Sequence, residues 1–173
     1  MTIGIYFATT TGKTEDIAER IHGLLDGAES PKDVSDVDDL SELSEHDGII
    51  CGIPTWNTGA DSERSGTAWD SILEEIGDLN LSGKKVAIFG LGDSSTYTEN
   101  YCDAMEELHR CFQQAGASMV GYVSSSEYTF DESKSVVGES FCGLPLDEDS
   151  ESDMTDSRIS QWAEQLKNEL PGL

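Results

Sequence analysis

Three short segments carry residue types suited to holding a ligand, and each follows an apolar, strand-like run. The first is Thr9-Thr10-Thr11-Gly12-Lys13-Thr14, with four hydroxyls and a glycine between a strand and a helix start. Backbone N–H groups point outward there, so a phosphate dianion can be bound without arginine. The same residues also suit a plain helix cap with spare threonines. Neither G-x-G-x-x-G nor G-x-x-x-x-G-K-[ST] is present, which disfavours a dinucleotide or a nucleoside triphosphate. The second segment is Pro54-Thr55-Trp56-Asn57-Thr58-Gly59. A tryptophan in a polar strand-end loop suits a stacking platform, or else closes the edge of a core. The third runs from Gly90 to Tyr97, with glycines at the strand end and an aromatic at its far side. Together they describe a site for a flat aromatic ring with a monophosphate tail.

The elements needed to bring these loops together are visible as alternating patterns. Strand-like runs cover Thr2–Ala8, Gly48–Ile53, Lys85–Gly90 and Ala117–Val123, with a weak one at Pro31–Val37. Helical periodicity covers Thr14–Leu25, Thr67–Ile76 and Asn100–Ala115, the last with Tyr101, Met105, Leu108 and Phe112 on its inner face. Thr155 is placed as the cap of a final helix whose face is Ile159, Trp162, Ala163, Leu166 and Leu170. Strands alternating with helices predict an α/β fold with a mostly parallel sheet and right-handed crossovers. In such a sheet ligands bind beyond the carboxyl ends of the strands, at the switch point, which is where all three segments fall. Ser124–Ser140 breaks the rhythm as a long polar stretch, followed by a short apolar one at Phe141–Leu146. A loop of that length is functional or a family-specific insertion.

Charge and composition exclude several classes. Ten Lys and Arg face 35 Asp and Glu in 173 residues, a net charge of −25. That excludes phosphate-backbone recognition and docking on an anionic membrane, and points to a basic protein partner. No apolar run is long enough to span a bilayer, and Met1–Ala8 has no signal-peptide character. Cys51, Cys102, Cys111 and Cys142 are scattered and read as reduced, mostly buried thiols. His22, His46 and His109 share no ligand spacing and read as ordinary surface or helix residues. Most carboxylates of the runs Asp33–Asp47 and Asp147–Asp156 read as a solvated face.

At this point the residues resemble the flavodoxin family, specifically its long-chain type found in cyanobacteria and algae. The resemblance rests on T-x-T-G-x-T at Thr9–Thr14, P-T-W-N-x-G at Pro54–Gly59, G-x-G-D…Y-x-x-N at Gly90–Asn100 and G-L-P-L-D-E-D at Gly143–Asp149. The insertion Ser124–Ser140 matches the long-chain type. The resemblance implies one flavodoxin-like domain over residues 1–173, doubly wound, with a five-stranded parallel sheet in the order 2-1-3-4-5. Helices cover both faces and the insertion splits the last strand.

It also implies FMN as the cofactor. The phosphate falls to Thr9, Thr10, Thr11, Gly12, the backbone of Lys13, and Thr14, with the Lys13 side chain merely solvated. Trp56 covers the inner face of the isoalloxazine and Tyr97 the outer. Backbone atoms of Thr55, Asn57, Thr58, Gly59, Leu91, Gly92 and Asp93 meet the ring edge. Asn100 lies near that edge, Asp147 near the ribityl chain, and Tyr101 joins the cofactor-binding set. The stretch Ala60–Gly66 is longer than in many relatives and bears on partner docking.

The implied function is a low-potential one-electron carrier shuttling between hydroquinone and neutral semiquinone, with no catalytic residues, no metal and no substrate turnover of its own. Two stacked aromatics and the negative surface oppose a reduced, anionic flavin. The Asn57–Thr58 peptide is expected to flip on reduction so that its carbonyl accepts from flavin N5–H. The implied partners are basic redox proteins, of the photosystem I and ferredoxin–NADP reductase kind, with the protein replacing ferredoxin when iron is scarce. The expected state is a monomer in the cytoplasm, or in a plastid stroma if the source is an alga. Two rivals share the fold: an NAD(P)H-dependent FMN or quinone reductase, and a receiver-type signalling domain. Tyr97 occupying the outer flavin face counts against the first, and the Phe7-Ala8-Thr9 strand end, which lacks an acidic pocket, against the second.

Overall fold

A computed structural model describes residues 2–170 and 172–173. Met1 and Pro171, which the readings of the N-terminus and of the domain include, lie outside the described residues. The strands are β1 (Ile3–Phe7), β2 (Lys32–Asp33), β3 (Gly48–Pro54), β4 (Lys85–Leu91), β5 (Ser118–Val120), β6 (Val123–Ser124), β7 (Val136–Val137), β8 (Ser140–Phe141) and β9 (Leu144–Leu146). The α-helices are α1 (Lys13–His22), α2 (Leu73–Gly77), α3 (Ala104–Gln114) and α4 (Thr155–Glu169).

The main sheet runs β2-β1-β3-β4-β5, every pair parallel. This is the expected order. The fifth position is shared: Lys85–Ala87 of β4 pair with Ser118–Val120, and Phe89–Leu91 with Leu144–Leu146. The chain thus leaves the sheet after β5, makes its excursion, and returns as β9 in line with it.

Alternation along the strands sorts the side chains into two apolar layers. Ile3, Ile5, Phe7, Ile50, Ala87, Phe89 and Leu91 face α1 and α4. Tyr6, Ile49, Cys51, Ile53, Val86 and Ile88 face α2 and α3. Both faces of the sheet are therefore covered, which is why β3 and β4 read as unbroken apolar runs. Trp162 of α4 is fully buried against Phe89, ring centroids 6.3 Å apart, and its Nε1 donates to the Gly121 carbonyl at 2.9 Å. Burial of an aromatic with its polar atom satisfied is among the larger single contributions to such a core.

Several boundaries differ from the sequence reading. β2 is short because the Asp33 carboxylate accepts from Ser35 N at 2.9 Å and turns the chain into a 3-10 turn over Val34–Asp36. The expected helix Thr67–Ile76 divides into a 3-10 turn, Ala68–Ser71, and α2. α3 starts at Ala104 rather than Asn100, because Cys102 takes a left-handed φ of 52° and breaks the helical path. Thr155 is the first helical residue of α4 and not its cap, and its hydroxyl is buried without a hydrogen-bond partner among the described residues.

Two histidines are buried: His109 is a helix residue of α3, whereas His46 is neither a surface nor an α-helical residue. His46 is buried with Nε2 2.8 Å from the Tyr6 hydroxyl, and His109 is buried against Tyr122. Burial holds the His109 imidazole below its usual range, against the opposing charge of Glu106. All four cysteines are free and buried. Burial raises the Cys142 thiol to about 12.

The insertion is more than a polar loop. β6, β8 and β7 form a small antiparallel sheet. Tyr128 and Phe130 pack on Phe141, with ring centroids at 5.2 and 5.0 Å. Tyr101 completes this cluster, 5.9 Å from both Phe130 and Phe141.

Candidate functional site

The loop after β1 is closed by its own residues. Thr9 Oγ1 accepts from Gly12 N at 2.9 Å, and Gly12 O accepts from Asp16 N at 3.1 Å, the first helical turn. Gly12 takes a φ of 89°, open to glycine at no steric cost. No side chain caps α1. Its leading amides, with the positive end of the helix dipole, face the cleft beside exposed Thr10 and Thr11.

The loop after β3 is a small hairpin. Trp56 N donates to Ser65 O at 3.3 Å and Asn57 N to Arg64 O at 2.9 Å. Asn57 Nδ2 donates to Glu63 O at 2.7 Å, which closes the turn that carries Thr58 and Gly59. The Thr55 hydroxyl accepts from Ala104 N at 3.1 Å, at the start of α3. Trp56 is left 49% exposed although it is a large aromatic.

The loop after β4 is shaped by two aspartates. Asp93 Oδ1 accepts from Ser95 N, Thr96 N and Ser150 Oγ at 3.1, 2.9 and 2.9 Å. Burial works against the Asp93 charge, but these hydrogen bonds outweigh it and hold the carboxyl below its ordinary range. Asp147 is fully buried. Its carboxylate accepts from Ser94 N and Oγ at 2.9 and 2.6 Å, and from Asp149 N and Ser150 N at 3.0 and 2.7 Å. The turn after β9 is thereby tied to the loop that carries Tyr97, itself 47% exposed.

These loops enclose one cleft at the carboxyl edge of the sheet. Its lining includes Thr9, Thr10, Thr11, Lys13, Thr14, Thr55, Trp56, Leu91, Gly92, Asp93 and Tyr97. Gly12, Asn57, Thr58 and Gly59 sit on the loops at its border rather than in its lining. Three expected residues are placed elsewhere. Tyr101 is fully buried in the insertion's aromatic cluster. Asn100 is outside the lining, its N donating to Tyr97 O at 3.0 Å and its Nδ2 3.4 Å from Asp103 Oδ2. Asp147 braces the walls instead of facing the cleft, because all its acceptor capacity is spent on the two turns. Its neighbours Glu148 and Asp149 line the cleft in its place, together with Pro54. The segment Gly143–Asp149 was legible as part of the site, but which of its carboxylates faces inward depends on those hydrogen bonds.

Lys13 is not merely solvated. Its ammonium lies 2.8 Å from Asp149 Oδ1, and this hydrogen bond raises its pKa against a smaller burial cost. Among the described residues no His, Cys, Asp and Glu cluster has the arrangement of a metal site, and no helix is long and apolar enough to cross a membrane.

Two half-exposed aromatics at the cleft, with an uncapped helix terminus beside them, suit a planar ring and an anionic group on one ligand. The comparisons with known proteins agree with that chemistry. The family model described as Flavodoxin matches residues 5–162. A flavodoxin of Synechococcus elongatus is 41% identical over 170 residues, spanning 97% of this chain and 97% of its own. A flavodoxin of Nostoc sp. is 40% identical over 169 residues, spanning 97% of this chain and 96% of its own. Among solved structures, a flavodoxin of Fusobacterium nucleatum bound to flavin mononucleotide superposes with a TM-score of 0.88 at 28% identity, covering 98% of each chain. With this fold, these loops and a match along most of its length, the chain belongs to the flavodoxin family.

Proposed function

We propose that the chain binds FMN in this cleft and acts as a one-electron carrier of low potential, without substrate turnover of its own. The observation that carries the reading is the pair Trp56 and Tyr97, half-exposed at one cleft whose floor is the uncapped start of α1. When bound, the flavin supplies redox chemistry in one- or two-electron steps, and the protein selects between them.

The residues divide the work. The hydroxyls of Thr9, Thr10, Thr11 and Thr14 with the amides of Gly12 and Lys13 hold the phosphate. Trp56 and Tyr97 stack on the two ring faces and exclude water. Leu91, Gly92, Asp93 and the turn Asn57–Gly59 meet the ring edge, and the Asn57 carbonyl is the acceptor suited to a proton at flavin N5. Glu148, Asp149 and Asp93 add negative charge around the cleft of a chain already at −25, which opposes an anionic reduced ring. The exposed cleft edge gives a docked protein access without a substrate pocket. The same charge supports basic redox partners, of the photosystem I and ferredoxin–NADP reductase kind, in the place ferredoxin takes when iron is plentiful. Four free, buried thiols fit a reducing compartment such as the cytoplasm.

A slow anaerobic reductive titration followed by visible absorption tests this. The expected course is yellow to blue to pale, the mark of two separate one-electron steps. Bleaching in one step supports the NAD(P)H-dependent reductase instead. A protein that stays colourless after FMN is added overturns both.

A further inference from the structure

The hairpin that carries Trp56 and the turn Asn57–Gly59 is held from outside the cleft. Its returning arm contains Glu63, whose φ of 53° is left-handed without the freedom of glycine. That conformation points two consecutive amides the same way and makes a small anion-binding nest. The nest is filled by a carboxylate of α3: Glu107 Oε2 accepts from Glu63 N at 2.9 Å, and Oε1 from Arg64 N at 2.7 Å. Glu107 is 2% exposed.

Arg64 grips the same helix in the opposite sense. It is buried in a chain with only ten Lys and Arg. Its guanidinium donates to Asp103 O at 3.2 Å and Glu106 Oε2 at 2.7 Å on the α3 side. It also donates to Ala60 O at 3.2 Å and Asp61 O at 3.0 Å within the loop. Burial works against the Glu106 charge, but Arg64 and Arg110 outweigh it and keep the carboxyl below its ordinary range. A cation and an anion thus lock loop to helix through crossed contacts, and neither side chain lines the cleft.

We propose that Arg64 and Glu107 are positioning residues: they fix the turn Asn57–Gly59 against the flavin edge and so set the separation between its two one-electron potentials. The proposal rests on the FMN reading above. The hairpin ladder at Trp56–Ser65 and Asn57–Arg64 transmits the restraint directly, because Arg64 bears both the guanidinium and the carbonyl that binds Asn57 N. A turn held in place gives up little freedom when it makes a contact specific to one redox state. A loosened turn gives up more, and that state is favoured less. An equilibrium among redox states responds only to contacts that differ between them, so the separation of potentials is the sensitive readout.

Two variants test this, Glu107→Gln and Arg64→Lys. Gln keeps the shape but sets an amide N–H against one of the two loop donors. Lys keeps the charge but loses the forked geometry. Each is compared with the wild type by hydrogen exchange of the amides of residues 56–65 in the apoprotein, and by the two potentials of the FMN-loaded protein. The expected result is about tenfold faster exchange confined to this loop, with the separation of potentials reduced in both variants. Because a buried Glu107 variant is open to misfolding, Arg64→Lys with a native melting transition decides alone if needed. Faster exchange with unchanged potentials reduces the pair to structural anchors and overturns the proposal, as does unchanged exchange in folded variants. A wild-type protein that binds no FMN overturns the functional reading together with this proposal, whereas two unaltered variants of an FMN-binding wild type overturn this proposal only.

Discussion

The phosphate-type loop and the tryptophan loop lie at the same sheet edge but are built on opposite principles. Thr9–Thr14 is determined by itself. Its one left-handed residue is Gly12, its internal bond joins Thr9 to Gly12, and its exit is the helix it begins. The hairpin 56–65 is determined by the rest of the molecule. Its left-handed residues are Gly59 and, without the freedom of glycine, Glu63, and its ties run to Asp103, Glu106 and Glu107, about forty positions along the chain. Asp70 adds a tie at the base, accepting from Ser65 Oγ at 2.6 Å and Gly66 N at 2.8 Å. The third loop follows the second pattern, with Cys102 as the strained residue behind it and Asp147 as its brace. A locally determined loop can hold an invariant group such as a phosphate. A loop hung on long-range contacts can be tuned without touching what it binds.

The contrast predicts where stability and binding part company. The largest effect is expected for Glu107→Ala, which leaves the buried amide of Arg64 without an acceptor at about 1–3 kcal/mol, and the partly buried amide of Glu63 without one at a smaller cost. Denaturant unfolding of the apoprotein reads that loss directly, and a loss below that of an exposed control removes the clamp from the account. Thr11→Val is expected to leave stability alone and to weaken FMN by about 1.5–3 kcal/mol, the worth of hydrogen bonds to a charged group. Riboflavin, which has no phosphate, is expected to bind as before, and equal losses for the two ligands break the assignment of this loop. Trp56→Ala is expected to cost about 1–3 kcal/mol of stacking for FMN and riboflavin alike, and to raise the second potential. Fluorescence titration with both ligands separates the two loops in one experiment.

The same contrast explains how much the sequence disclosed. The alternation of strands with helices and the three strand-end loops follow from apolar periodicity and turn residues, which are local signals, whereas the sheet order and the split last strand follow only from the resemblance to the flavodoxin family. Trp56 and Tyr97 stood out because a large aromatic in a polar loop is conspicuous. A G-L-P-L-D-E-D run cannot say which carboxylate turns inward to the cleft and which is buried behind it. That is settled by Ser94, in another loop. Tyr101 belongs to the aromatic cluster with Phe130 and Phe141, and no periodicity within Asn100–Ala115 reveals partners from the insertion. Arg64 and Glu107 carried no signal, since a lone arginine and a helical glutamate look like surface residues until the fold buries them.

Acid sharpens the comparison next. The Glu106 carboxyl is held below its usual 4.5 by Arg64 and Arg110, against burial. A group depressed in the folded state stabilises above its unfolded pKa and loses that contribution as pH falls through the folded one. Wild-type melting temperatures are therefore expected to fall more steeply below about pH 4.5 than those of Glu106→Gln. Parallel curves remove Glu106 from the clamp.

The smallest effect is expected where the first loop makes its one long-range ion pair. Lys13 and Asp149 meet at 2.8 Å, but their side chains are 46% and 51% exposed, so solvent screens the attraction. Exposed pairs of this kind contribute about 0–1 kcal/mol. Lys13→Met is accordingly expected to change apoprotein stability and FMN affinity by less than about 1 kcal/mol, and less still at high salt. Calorimetric titration at two salt concentrations reads this. A loss several times larger, persisting at high salt, means that the Lys13 ammonium bears directly on the phosphate. The first loop is then no longer self-sufficient, and its difference from the tryptophan loop narrows to the identity of the charge that holds each.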